Sequence, residues 1–81
     1  MRLIGQIPHP KLLISVFKSN QKIIFKFEIG PFEQTYKFLE TEQLNDLASA
    51  TVLVTEEWIT NVFATFDEMN QHYKKISALL Q

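Results

Sequence analysis

The sequence predicts an α+β fold: an antiparallel β-meander followed by a short helix and a long C-terminal helix packed on one sheet face. Two observations carry this. Residues 11–38 alternate apolar and polar with period two and are broken only by two tight polar turns. Residues 55–80 repeat apolar residues at three-four spacing (Ile59, Val62, Phe66, Met69, Tyr73, Ile76, Leu80), which is one stripe of an α-helix.

The meander has three strands, with a candidate fourth before it. Arg2 to Ile7 is apolar enough for a short edge strand, and Pro8-His9-Pro10 ends it because neither proline can donate to a ladder. Lys11 to Lys18 places Leu12, Ile14 and Val16 on one face. Lys22 to Ile29 places Ile23, Phe25, Phe27 and Ile29 on one face and Lys22, Ile24, Lys26 and Glu28 on the other. Phe32 to Phe38 sets Phe32, Gln34, Tyr36 and Phe38 against Glu33, Thr35 and Lys37. Turns centred on Asn20-Gln21 and Gly30-Pro31 pair Val16 with Phe25, Ile14 with Phe27, Leu12 with Ile29, Phe25 with Tyr36 and Ile23 with Phe38. Both turns thus send the large residues to one side. Gln34 is the polar exception there. A buried amide needs partners, so it is expected at the sheet margin.

Beyond Phe38 the period changes. Thr41 is placed to cap a short helix running to about Ala50, with Leu44, Leu47 and Ala48 inward and Thr51-Val52-Leu53-Val54 as an apolar connector. Thr55 then caps the long helix. Glu56 and Glu57 favour the positive end of its dipole, Val54 can staple onto Ile59, and Lys74 and Lys75 suit its negative end. The chain is read as one domain, with the meander over 1–38, the short helix and connector over 39–54, and the long helix over 55–80.

Composition narrows the function classes. Eighty-one residues with 46% hydrophobic content and seven Phe support a real core. The lack of cysteine excludes a disulfide framework, a thiolate zinc site and a cysteine nucleophile. The apolar run at the N-terminus is too short for a signal peptide, and no stretch reaches the ~18 residues a bilayer span needs. A cytoplasmic protein without membrane contact is expected. Charge is sorted along the chain: Arg2, Lys11, Lys18, Lys22, Lys26 and Lys37 precede residue 39, and no base occurs between Leu39 and Asn70.

The long stripe points to a partner. A helix of roughly 25 residues is ~37 Å long, whereas a seven-residue strand spans only ~23 Å. The helix should overhang the sheet and leave its last apolar residues bare. Cover from within would have to come from Leu3, Ile4, Ile7, Leu44, Leu47 and Leu53. Cover from a second copy would use Met69, Tyr73, Ile76, Leu79 and Leu80 as a self-association surface. The flanking positions lack the opposite charges of a long coiled coil, which favours a compact helix-mediated homodimer. A small non-enzymatic protein–protein interaction module is therefore the expected function.

The alternative is a nucleic-acid-associated accessory protein. On the outer sheet face Lys22, Lys26 and Lys37 surround Phe17 and Ile24, a basic platform with one aromatic for stacking. The sequence pI of about 6.1 lacks the usual basic footprint. Nothing else carries chemistry. His9 reads as a rigid turn residue between two prolines and His72 as a solvated helix position. Glu68 and His72 lie one turn apart without the second His a metal-binding helix needs. Glu56-Glu57 and Asp67-Glu68 suit dipole and solubility better than acid–base work. No catalytic residue, metal or cofactor is expected.

One resemblance stands beside this reading. Gly5-Gln6-Ile7-Pro8-His9-Pro10, Asn20-x-Lys22 and Gly30-x-Phe32-Glu33-Gln34-x-Tyr36-Lys37 resemble a family of short uncharacterised bacterial proteins with an N-terminal Gly-x-Ile-Pro-His-Pro segment. The likeness covers about the first half of the chain, and the acidic helical half diverges. The family has no assigned activity, so the resemblance implies a bacterial cytosolic protein and supplies no site residues. It does mark Phe32-Glu33-Gln34 for attention beyond a turn-and-strand role.

Overall fold

The computed structural model describes residues 1–81. Four strands form one antiparallel sheet in chain order: β1 (Arg2–Ile7), β2 (Leu13–Ser19), β3 (Lys22–Ile29) and β4 (Phe32–Leu39). Two helices follow, α1 (Leu47–Leu53) and α2 (Glu56–Ala78). The α+β meander with a short and a long helix is thus the observed architecture, and the fourth strand is real.

The two turns set the register as the alternation requires. Asn20 and Gln21 both take positive φ, 49° and 64°, the type I′ geometry that matches strand twist. Gly30 takes φ 55° ahead of Pro31, whose ring holds its own φ negative. Val16 pairs with Phe25, Ile14 with Phe27, Phe25 with Tyr36 and Ile23 with Phe38. The expected pairing of Leu12 with Ile29 is absent. The β2 ladder starts only at Leu13, because the His9 Nδ1 accepts from the Lys11 and Leu12 N–H groups and holds both in the turn. Leu12 is nonetheless buried.

β1 pairs with β2 through a register shift between Leu3 and Gly5. Leu3 then lies across from Phe17 and Gly5 across from Val16, so Gly5 faces the helices. A Cβ there would collide with the Leu47 side chain. The missing side chain lets α1 sit down on β1.

The short helix begins later than expected. Asp46, and not Thr41, is its N-cap: the Asp46 carboxylate accepts from the Ser49 N–H at 2.8 Å, and Ser49 Oγ accepts from the Asp46 N–H at 3.1 Å. The Ser49 N–H, and after it the Ser49 hydroxyl that donates to Asp46 Oδ1 at 2.8 Å, hold the Asp46 carboxyl below the usual carboxylate range. Thr41 is drawn instead into an isolated bridge with Leu44. Thr51-Val52-Leu53 is consequently helical, Ala48 is exposed, and Ala50 is the buried residue of α1.

α2 starts where the sequence placed it but ends at Ala78, short of the expected residue 80. Leu79 is its C-cap and Leu80 lies in the closing turn, where the Leu79 and Leu80 N–H groups donate to the Ile76 and Ser77 carbonyls. Thr55 Oγ1 accepts from the Trp58 N–H at 3.2 Å, and Glu56 and Glu57 occupy the first turn. Both helices cover the same sheet face. Phe25, Phe27, Ile14, Ile23, Val16 and Val62 are fully closed off, and Trp58 lies edge-on to Phe25, Phe27, Tyr36 and Phe38 with ring centroids 5.0–6.1 Å apart. The opposite sheet face carries no second layer.

Candidate functional site

α2 has 23 residues and is therefore ~34 Å long, longer than any strand beneath it. The molecule measures 49 × 26 × 18 Å, an elongation that follows from this overhang. Exposure along the stripe records where cover ends. Val62 is 0% and Phe66 5% exposed, Met69 is partly buried, and then Tyr73 reaches 50%, Ile76 59% and Leu80 83%. Leu79, beside the stripe, is 79% exposed. One side of one helix thus changes from core to open surface within three turns.

The internal residues weighed as cover do not reach this tail. Ile4, Ile7 and Leu47 pack against the core, Leu44 is inside it, and Leu3 and Leu53 are themselves exposed. Only the β3–β4 hairpin meets the tail. Phe32 sets its ring edge-on to Tyr73 at 5.3 Å and also touches Phe66 at 6.4 Å. This gives Phe32 a role beyond its strand, as the last support of α2 before the overhang. Periodicity alone could not reveal it, because the contact depends on the angle at which α2 crosses the sheet.

Gln34 lies on the edge strand β4, at the sheet margin as expected, and its amide is partnered there. It is 8% exposed beneath α2, where its Nε2 donates to the Val62 carbonyl at 2.9 Å and its Oε1 accepts from the Tyr36 hydroxyl. The amide ties edge strand β4 to the middle of α2 with its polar atoms satisfied.

The outer sheet face differs from an open basic platform. Ile24 is only 5% exposed, closed over by its neighbours. Lys26 is engaged with Glu33 at 3.0 Å and Glu28 at 4.0 Å, and these partners, Glu33 foremost, hold its ammonium above the ordinary lysine value. Lys22 and Lys37 form no ion pair, and Phe17 is partly buried on β2, with Ile24 between it and Lys37 across the sheet. Leu3, Leu13 and Leu39 add exposed apolar surface to the same face. Leu39 belongs to this face because β4 runs one residue beyond Phe38, where the apolar–polar alternation stops.

His9 is a structural turn residue, as expected. Besides its two backbone hydrogen bonds it lies against the Phe63 ring, with centroids 5.9 Å apart. A cleft of about 490 Å³ opens between this turn and the start of α2, lined mainly by apolar side chains with Glu56 and Thr60 at its edge. His72 is exposed on α2. No three His, Asp or Glu side chains converge on a common point that would hold a metal ion, and no helix is long and apolar enough to cross a membrane. Compared with protein-family models, curated proteins and solved structures, the chain shows no significant match.

Proposed function

We propose that the protein is a small non-enzymatic interaction module that self-associates through the C-terminal part of its long helix. The supporting observation is the rise in exposure along one stripe, from closed at Val62 and Phe66 to open at Tyr73, Ile76 and Leu80. The stripe stays apolar past Phe32, the last residue of the sheet packed against it. Burying an aliphatic or aromatic side chain contributes about 1.5–3 kcal/mol, so covering this tail supplies a substantial driving force. The tail's charged residues, Lys74 and Lys75, lie off the stripe and leave it uninterrupted.

The test replaces two open positions with charge. Tyr73→Glu combined with Ile76→Glu should reduce the native mass measured by light scattering from that of an oligomer to 9.5 kDa, with the fold retained. Both residues are half exposed or more and lie outside the buried core, and Ile76→Glu alone, which spares the Tyr73 contact with Phe32, should lower the mass in the same direction. A wild-type mass of 9.5 kDa at all concentrations, or an oligomer indifferent to the double change, would overturn the proposal.

A further inference from the structure

We propose that the free edge of β4 pairs antiparallel with β4 of a second copy about a two-fold axis at Thr35, doubling the four-stranded sheet. This surface is separate from the α2 tail and does not depend on it.

β4 ends the sheet and neighbours β3 alone. Ladder bonds in an antiparallel pair recur at every second residue. The Glu40 N–H donates to the Gln21 carbonyl at 2.8 Å, so Phe38, Tyr36, Gln34 and Phe32 are the β4 residues bonded to β3. Glu33, Thr35, Lys37 and Leu39 therefore turn their N–H and C=O groups outward, and all four residues are exposed. α2 does not close this edge. Trp58 lies nearer the β3 rings of Phe25 and Phe27, at 5.0 Å, than the β4 rings of Tyr36 and Phe38, at 5.3 and 6.1 Å. β4 also pairs with β3 along its whole length without a register shift, which leaves its edge regular. The other edge strand, β1, is interrupted between Leu3 and Gly5, an irregularity of the kind that blunts an edge.

Charge along the β4 edge is unbalanced in a self-complementary way. Glu28 and Glu33 stand directly opposite each other across β3 and β4, and the single ammonium of Lys26 serves both, at 4.0 and 3.0 Å. Lys37, further along the same edge, has no acid partner. A lone edge lysine opposes strand pairing unless an acid meets it. Antiparallel pairing about Thr35 sets each Lys37 directly opposite the partner's Glu33 and gives the acid-rich end the second cation it lacks.

The same register satisfies the backbone and the core face. Only the odd-numbered positions offer free groups, so permitted registers move the axis one residue at a time. Moving it to Gln34 or Tyr36 sets Thr35 opposite a charged residue and breaks both ion pairs. Moving it to Glu33 or Lys37 places like charges in contact. With the axis at Thr35, Phe38, which is 41% exposed, lies opposite the partner's Phe32 as an aromatic cross-strand pair. Exposed ion pairs add little affinity, and one strand edge buries less than the ~1,000 Å² of a stable interface. The pairing is therefore weak, forms at high protein concentration, and takes its register from charge.

The chain has no cysteine, and residues facing each other on the axis have Cα atoms about 5.5 Å apart, within disulfide reach. At high protein concentration, Thr35→Cys should oxidise to a linked dimer in several-fold greater yield than Lys11→Cys, which lies in the turn between β1 and β2. Adding Lys37→Glu, which breaks no ion pair of the monomer, should lower that yield several-fold. Adding Glu33→Lys as well exchanges the two charges and should restore it. A Thr35→Cys yield no greater than the control would overturn edge pairing and leave the α2 association standing. A yield indifferent to Lys37→Glu, or a folded charge-exchanged chain that stays unlinked, would overturn the register.

Discussion

Gln34 sits among the apolar side chains of the helix-covered sheet face, where an unpaired amide would cost about 1–3 kcal/mol. Its two hydrogen bonds, to the Val62 carbonyl and from the Tyr36 hydroxyl, turn that liability into a fixed distance between β4 and α2. The donor is what the site requires. In Gln34→Glu the ionised side chain can no longer donate and faces a carbonyl oxygen. Chemical denaturation at pH 7 should show a loss of roughly 2 kcal/mol. Protonation restores a donor, so burial and the carbonyl raise the new carboxyl's folded pKa above its unfolded value. The missing stability should return as pH falls below that range and be lost again as pH rises through it. A loss independent of pH would show that the amide acts through shape alone.

Elements were legible in the sequence to the extent that their determinants were local. Alternation in β2, β3 and β4 and the two-residue turns depend on adjacent residues, and their register was readable down to Phe25 against Tyr36. Thr55 was readable as a cap because Glu56, Glu57 and the apolar stripe follow it at once. The start of α1 was not. Thr41 and Asp46 are both competent caps, and the choice fell to Ser49, which completes a capping box only with Asp46. The seat of α1 was hidden for a different reason: it depends on the β1 register shift that turns Gly5 toward Leu47. Gly5→Ala should therefore destabilise the protein by roughly 1–3 kcal/mol through overpacking. Leu47→Ala in the same chain should recover part of that loss, a coupling a double-mutant cycle would resolve. Simple additivity of the two changes would contradict the proposed seat.

At the scale of the whole molecule the dominant fact is a mismatch of lengths. A ~34 Å helix lies on strands of six to eight residues, the sheet ends at Phe32, and the apolar stripe continues for two further turns. The overhang itself could be read from the sequence, because helix rise and strand rise are constants. Whether an internal segment covered it could not, since that depends on where α1 and β1 pack. They pack at the far strand of the sheet and leave the tail bare. The outer sheet face shows the converse. Its lysines were legible, but the Glu33 carboxylate, the closer of the two that engage Lys26, reaches it only when β3 and β4 pair, whereas Glu28 adjoins Lys26 along β3 itself. Beyond Glu68 the tail carries no acid, and Tyr73, Ile76 and Leu80 leave it an exposed apolar surface.

The central claim, that this tail is the surface of self-association, is tested most directly by amide hydrogen exchange along α2 as protein concentration is raised. Without a partner the tail has only Phe32 to hold it and should exchange by local fraying. The account predicts that protection over residues 69–78 rises with concentration and levels off when the dimer saturates. Protection in that segment that is the same at every concentration would contradict it.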